Sequence, residues 1–128
     1  MTLRLGAVTL MVPGYDEGIA FYVGRLGFDL LADADEGVKR WVVVRPSGGG
    51  TALVLAHGED APPRRVAYFL HTDNFARGHA AMLAAGVAFE EAPRREPYGT
   101  VAVWRDPFGN RWDLLEPTDG EPPPRRGA

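Results

Sequence analysis

The sequence predicts an α+β fold made of two βαβββ modules, and three observations predict it. Short apolar, β-favouring runs alternate with Gly, Pro, Asp and Asn clusters along the chain. Each half carries one segment with helical spacing directly after its first strand. The landmarks of the first half then recur roughly sixty residues later, so that Tyr15 answers to Phe75, Gly27 to Gly86 and Gly50 to Gly109. A unit of this size cannot bury its own sheet face, and a doubled unit implies two packed together.

The elements follow in order. Leu3 to Val12 is apolar and β-favouring, and Pro13-Gly14 ends it before Tyr15 to Leu26, where Ile19, Phe21, Tyr22 and Leu26 recur at helical spacing. Gly27 is placed as a C-terminal cap, and Phe28 to Leu31, Trp41 to Val44 and Thr51 to Ala56 are three further strands. In the second half Val66 to Thr72 reads as a strand and Asp73-Asn74 as an N-cap. A helix containing His79, Met82, Leu83 and Ala85 then runs to Gly86. Val87 to Glu91, Thr100 to Arg105 and Arg111 to Glu116 complete the set, giving modules over 3–57 and 65–117 within one domain, 1–117. The Pro, Gly and Arg-rich segment 118–128 reads as a disordered tail.

Composition narrows the function. At 128 residues and 45% hydrophobic, the chain has room for one compact domain. A formal charge of -3 arises from interspersed acids and bases, which offers no basic stripe for nucleic acid or an anionic membrane. Without cysteine there is no disulfide, thiolate nucleophile or thiolate zinc site, and His, Asp and Glu remain as the strong metal ligands. No run is long and uncharged enough to span a bilayer, so a cytoplasmic location is expected. Gly48-Gly49-Gly50 lacks the lysine and hydroxyl of a phosphate loop, and Ser47, the only serine, stands outside a nucleophile elbow.

The most informative run is Asp106-Pro107-Phe108-Gly109-Asn110-Arg111-Trp112-Asp113-Leu114-Leu115-Glu116-Pro117, a turn feeding a last strand that carries an acid. Pro107 presets a turn, while Gly109 and Asn110 tolerate left-handed geometry. This run, "AFYVGRLGF" at Ala20 to Phe28, "AAGVAF" at Ala84 to Phe89 and the doubled order of elements resemble the vicinal oxygen chelate superfamily, which includes glyoxalase I, bleomycin-resistance proteins and extradiol dioxygenases. The resemblance covers Leu3 to Pro117. It implies sheets that curl into a half-open barrel, a homodimer, and a ligand in the concave face.

Metal-binding members of that family place ligands on the first and last strand of each module. Carried over one at a time, these positions fall on Ala7, on Val54 (or Leu53 in a neighbouring register), on Ala67 and on Asp113. A divalent ion needs several oxygen or nitrogen donors to replace its hydration shell, and one carboxylate does not supply them. No cofactor is therefore expected, with a divalent metal on a non-standard site as the alternative.

The chain has three histidines. Alternation puts residues 67, 69 and 71 on one strand face, the face of the family's third ligand, so His71 and Asp113 are candidates for an acid-base pair. The ordinary alternative is a histidine satisfied by a backbone carbonyl. His57 reads as a loop residue and His79 as a surface residue of the helix. An inward Asp113 requires a partner such as Arg105, Arg111, His71 or a ligand, whereas an edge position requires none.

Trp41, Phe69, Tyr98, Thr100, Trp104 and Arg105 are the candidate ligand-contacting residues, with Tyr98 in a loop suited to closing over a bound molecule and Trp112 assigned to the core. Two functions of different kind result. One is metal-independent binding of a small apolar or aromatic molecule. The other is an isomerase, lyase or dioxygenase-type enzyme using His71 and Asp113 or a non-standard metal site.

Overall fold

The computed structural model describes residues 1–58 and 60–118. The chain divides between Pro62 and Pro63 into two compact units, each with its own sheet.

In the first unit, β1 (Ala7–Met11) leads into α1 (Tyr15–Ile19), which continues as a π-helical segment, Ala20–Arg25. The expected single helix over 15–26 thus changes its winding midway: Leu26 N–H bonds to Phe21 O at 3.0 Å, five residues back. Gly27 takes φ +75° and ends the segment. Gly18 allows close packing, since a Cβ there would lie 2.9 Å from Leu55 Cδ1. The strands β2 (Asp29–Asp35), β3 (Arg40–Arg45) and β4 (Ala52–Ala56) follow, in the sheet order β1-β4-β3-β2, with β1 parallel to β4.

Alternation divides this sheet into two faces. Leu10, Leu55, Val42, Leu53 and Val44 are buried together with Val12, Phe21 and Tyr22 and form the core against the helix. β2 runs longer than its apolar start implies, because Arg40 grips Asp33 with Nε and Nη2, at 2.7 and 2.9 Å, and reaches Asp16 of α1 at 2.8 Å. The register shifts by one residue between Leu30 and Ala32, a bulge on the edge strand.

The second unit repeats the scheme: β5 (Tyr68–His71), α2 (Phe75–Ala84), β6 (Ala88–Phe89), β7 (Arg94–Glu96), β8 (Gly99–Arg105) and β9 (Arg111–Pro117). The order is β5-β9-β8-β6, with β7 also on β8 and β5 parallel to β9. Asn74 caps α2 by accepting from Arg77 N–H at 3.1 Å. The strand expected over 87–91 is interrupted. Glu91 Oε2 accepts from Val103 N–H at 2.8 Å where a backbone partner would stand, and pairing with β8 resumes at Arg94.

The register lines up one aromatic row across four strands: Tyr68, Trp112, Trp104 and Phe89. Tyr68 stacks on Trp112 (centroids 4.9 Å) and Trp112 on Trp104 (5.0 Å). His79 of α2 meets Phe89 at 4.5 Å and stacks with Phe75 at 5.5 Å. His79 is therefore a half-buried member of the helix-side cluster rather than a surface residue, since its ring fills the space between two phenylalanines.

The Asp106 to Asn110 turn is held by Asp106 itself, which is buried: Oδ1 accepts from Phe108 N–H and Asn110 N–H, at 2.9 and 2.8 Å, and Oδ2 from Asn110 Nδ2 at 2.7 Å. Only Gly109 uses left-handed geometry (φ +97°), while Asn110 contributes hydrogen bonds instead. Thr118, placed in the tail by composition, donates its N–H to Tyr98 O at 2.9 Å. The remainder of that segment lies outside the described residues.

Candidate functional site

Each sheet has a helix-bearing face and an opposite face, and the candidate residues divide between them. In the second unit Phe69 pairs with Asp113 and Asp113 with Val103, while His71 pairs with Leu115 and Leu115 with Val101. Paired residues point to the same side, so Phe69, His71, Asp113, Val103, Leu115 and Val101 share the face away from α2. The register makes His71 a diagonal neighbour of Asp113 on the adjacent strand. Phe69 is half exposed, at 51%, and Asp113 is fully buried.

Arg105 extends this face at the end of β8, opposite Arg111. Both guanidiniums converge on Glu90: Arg111 Nε and Nη2 at 2.9 Å each, and Arg105 Nε at 3.1 Å. Hydrogen bonding from Arg111, reinforced by Arg105, holds the Glu90 carboxyl below its usual range against a smaller opposing effect of burial. The expected partners of Asp113 are thus engaged elsewhere in part: Arg105 and Arg111 both serve Glu90.

Trp104 and Thr100 lie on the other face. Trp104 is fully buried in the aromatic row beneath α2, and Thr100 pairs with Glu116, whose carboxylate accepts from the first helical N–H at Phe75. These two do not join Phe69, His71 and Asp113. Tyr98 sits in the turn between β7 and β8 but is nine-tenths buried, packed with Val101 and Leu115. Its hydroxyl accepts from Arg94 Nη1 at 3.4 Å, and Arg94 also binds Glu91 at 3.1 Å and Glu96 at 2.9 Å. Tyr68, missed as a titrating group, has its phenol pushed up by burial and by the charge of Asp106.

In the first unit the face away from the helix carries mostly small apolar side chains, with Thr9 and Arg45 as its polar members. Thr9 pairs with Val54, Val54 with Val43 and Val43 with Ala32; Ala7 pairs with Ala52, and Ala34 with Trp41. Trp41 stands on this face, 41% exposed. Ala7 is exposed and Val54 half-buried. His57 follows β4 in a loop, its ring edge-on to Tyr15 at 4.9 Å. Sequence reading missed Ala32, Ala34, Val43 and Arg45 as members of this face, although counting by twos from Trp41 reaches Val43 and Arg45.

Among the described residues no three His, Asp or Glu side chains come together in a way that would hold a metal ion. Nor is any described helix long and apolar enough to cross a membrane.

The family model for the Glyoxalase/Bleomycin resistance protein/Dioxygenase superfamily matches residues 4–114. An uncharacterized protein of Shewanella frigidimarina (strain NCIMB 400) is 42% identical over 127 residues, covering 90% of this chain and 94% of that protein. Among solved structures, TnmS3, an antibiotic binding protein from Streptomyces sp. CB03234, superposes with a TM-score of 0.80 at 33% identity, over 91% of this chain and 98% of that one. A superfamily member from Sphaerobacter thermophilus DSM 20745 superposes at 0.77 with 27% identity, over 90% and 98%.

Proposed function

The chain belongs to the Glyoxalase/Bleomycin resistance protein/Dioxygenase superfamily, and on that footing we propose that it binds a small apolar or aromatic molecule on the sheet faces turned away from the helices, without the family's divalent metal. The observation that carries this reading is the donor set. Ala7, Val54 and Ala67 bring hydrocarbon to three of the four positions where the family places ligands, and Asp113 alone brings a carboxylate. That set does not fit a divalent ion, which needs several converging oxygen or nitrogen atoms. The first unit's face exposes Trp41 beside Ala34 and Val43, and the second unit's face exposes Phe69, each a ring on which a planar molecule can stack. The likeness to an antibiotic binding protein agrees with this reading.

Titration of the full chain with 9-anthracenemethanol, followed by calorimetry, tests it. Saturable binding weakened by roughly tenfold in Trp41→Ala or Phe69→Ala is expected, the size that loss of one ring contact and its buried area implies. Binding that neither substitution alters would place the molecule elsewhere.

A second reading has one observation in its favour: His71 and Asp113 are diagonal neighbours on one face. In that arrangement the carboxylate would orient the imidazole for proton transfer. We also propose that the chain forms a homodimer and acts in the cytoplasm; sedimentation showing a monomer at micromolar concentration would contradict the dimer.

A further inference from the structure

The face of the first unit turned away from the helix carries a guanidinium that the binding reading does not use. Arg45 ends β3 two residues after Val43 and four after Trp41, so alternation turns all three to the same side. Between them lies a floor of small side chains: Ala32 and Ala34 on β2, and Ala52, Val54 and Ala56 on β4. Trp41 and Arg45 are separated along the strand by about 13 Å.

Arg45 and Arg40 occupy the two ends of β3, and the chain treats them differently. Arg40, on the helix side, is gripped by Asp33 and Asp16. The Nε of Arg45 is buried, and among the described residues no acceptor bonds to it. Asp29 stands opposite Arg45 in the register, yet no hydrogen bond or ion pair joins the two. A buried donor left without an acceptor is costly, and the guanidinium fork matches a planar oxyanion side on, through Nε and one Nη.

We propose that Arg45 is the anion-recognition residue of the ligand site. The molecule bound is a planar aromatic carrying a carboxylate or phenolate, with its ring on the alanine and valine floor toward Trp41 and its acidic oxygens on Arg45. This rests on the binding reading above and adds the ligand's charge and orientation to it.

The test compares 9-anthracenecarboxylate with uncharged 9-anthracenemethanol by calorimetry on the full chain at neutral pH. The wild type should bind the carboxylate about tenfold more tightly or better. Arg45→Gln should erase that preference, bringing the affinity for the carboxylate down to that for the alcohol, and Arg45→Lys, which keeps the charge without the fork, should restore part of it. Far-UV circular dichroism establishes that both variants are folded. Equal affinity of the wild type for the two probes, or a preference that survives Arg45→Gln, overturns the assignment while the binding reading stands. If neither probe binds, both fall. A wild-type dimer that Arg45→Gln dissociates would give the guanidinium to a second copy of the chain and would also overturn it.

Discussion

Asp113 is fully buried on the face of the second sheet turned away from α2, between Val103 on one neighbouring strand and Phe69 on the other. Covered in this way, it meets a ligand only through its neighbours, so its carboxyl matters to proton transfer far more than to hydrophobic binding. Asp113→Asn keeps the shape and removes the titratable acid. The binding account predicts affinity for 9-anthracenemethanol within about twofold of wild type in that variant, a change under ~0.5 kcal/mol, whereas a proton-transfer role predicts loss of turnover. That Phe69 and His71 share a face was legible in the sequence, because the strand period of two admits no other outcome, whereas Asp113 joins them through the register of β5 on β9, which the sequence left open. Trp104 was not legible in the same way. Alternation says which residues go together but not which set lies under the helix, and that phase is decided by the packing of α2 on the aromatic row. Trp104→Ala should therefore lower stability by roughly 3–5 kcal/mol in urea unfolding, as a buried ring replaced by a methyl does, rather than alter binding alone.

At the scale of elements, the caps and turns followed from residue chemistry: Asn74 caps α2, Gly27 ends the first helix and Gly109 supplies the one positive φ of its turn. β7 did not. Its Arg-Arg-Glu has no strand propensity, and the segment between β6 and β7 is held by ionic hydrogen bonds instead, with Arg94 joined to Glu91 and Glu96, and Glu91 standing in for a ladder partner of Val103. Such pairs span several residues and carry no periodic signature. The Glu90 site beside it makes this visible as acid sensitivity. Arg111 and Arg105 lower the Glu90 pKa in the folded chain, so the unfolded chain binds the proton more readily. The stabilisation is present above the ordinary glutamate range, near ~4.3, and is lost as pH falls through the lower folded value. Glu90→Gln should flatten that acid limb in pH-dependent thermal unfolding and leave stability above pH ~6 reduced and pH-independent at this site. An unchanged acid limb would mean that the two arginines do not hold the carboxylate in solution.

The doubled order of elements is the property of the whole chain that the sequence displays best, since two sheets built on the same connection, each with its first strand parallel to its last, reproduce the repeat of landmarks. The proposal of binding without a metal rests on the same doubling, because each half offers its own pair of carried-over positions and only Asp113 among them is a donor. Function at this scale depends on whether an aromatic molecule settles on faces without a cation. The direct measurement is calorimetric titration of 9-anthracenemethanol into protein before and after exhaustive EDTA treatment, with zinc, nickel and iron added back. Saturable binding with the same affinity in every case is the predicted result; binding that vanishes with EDTA and returns with one of the metals would contradict the account.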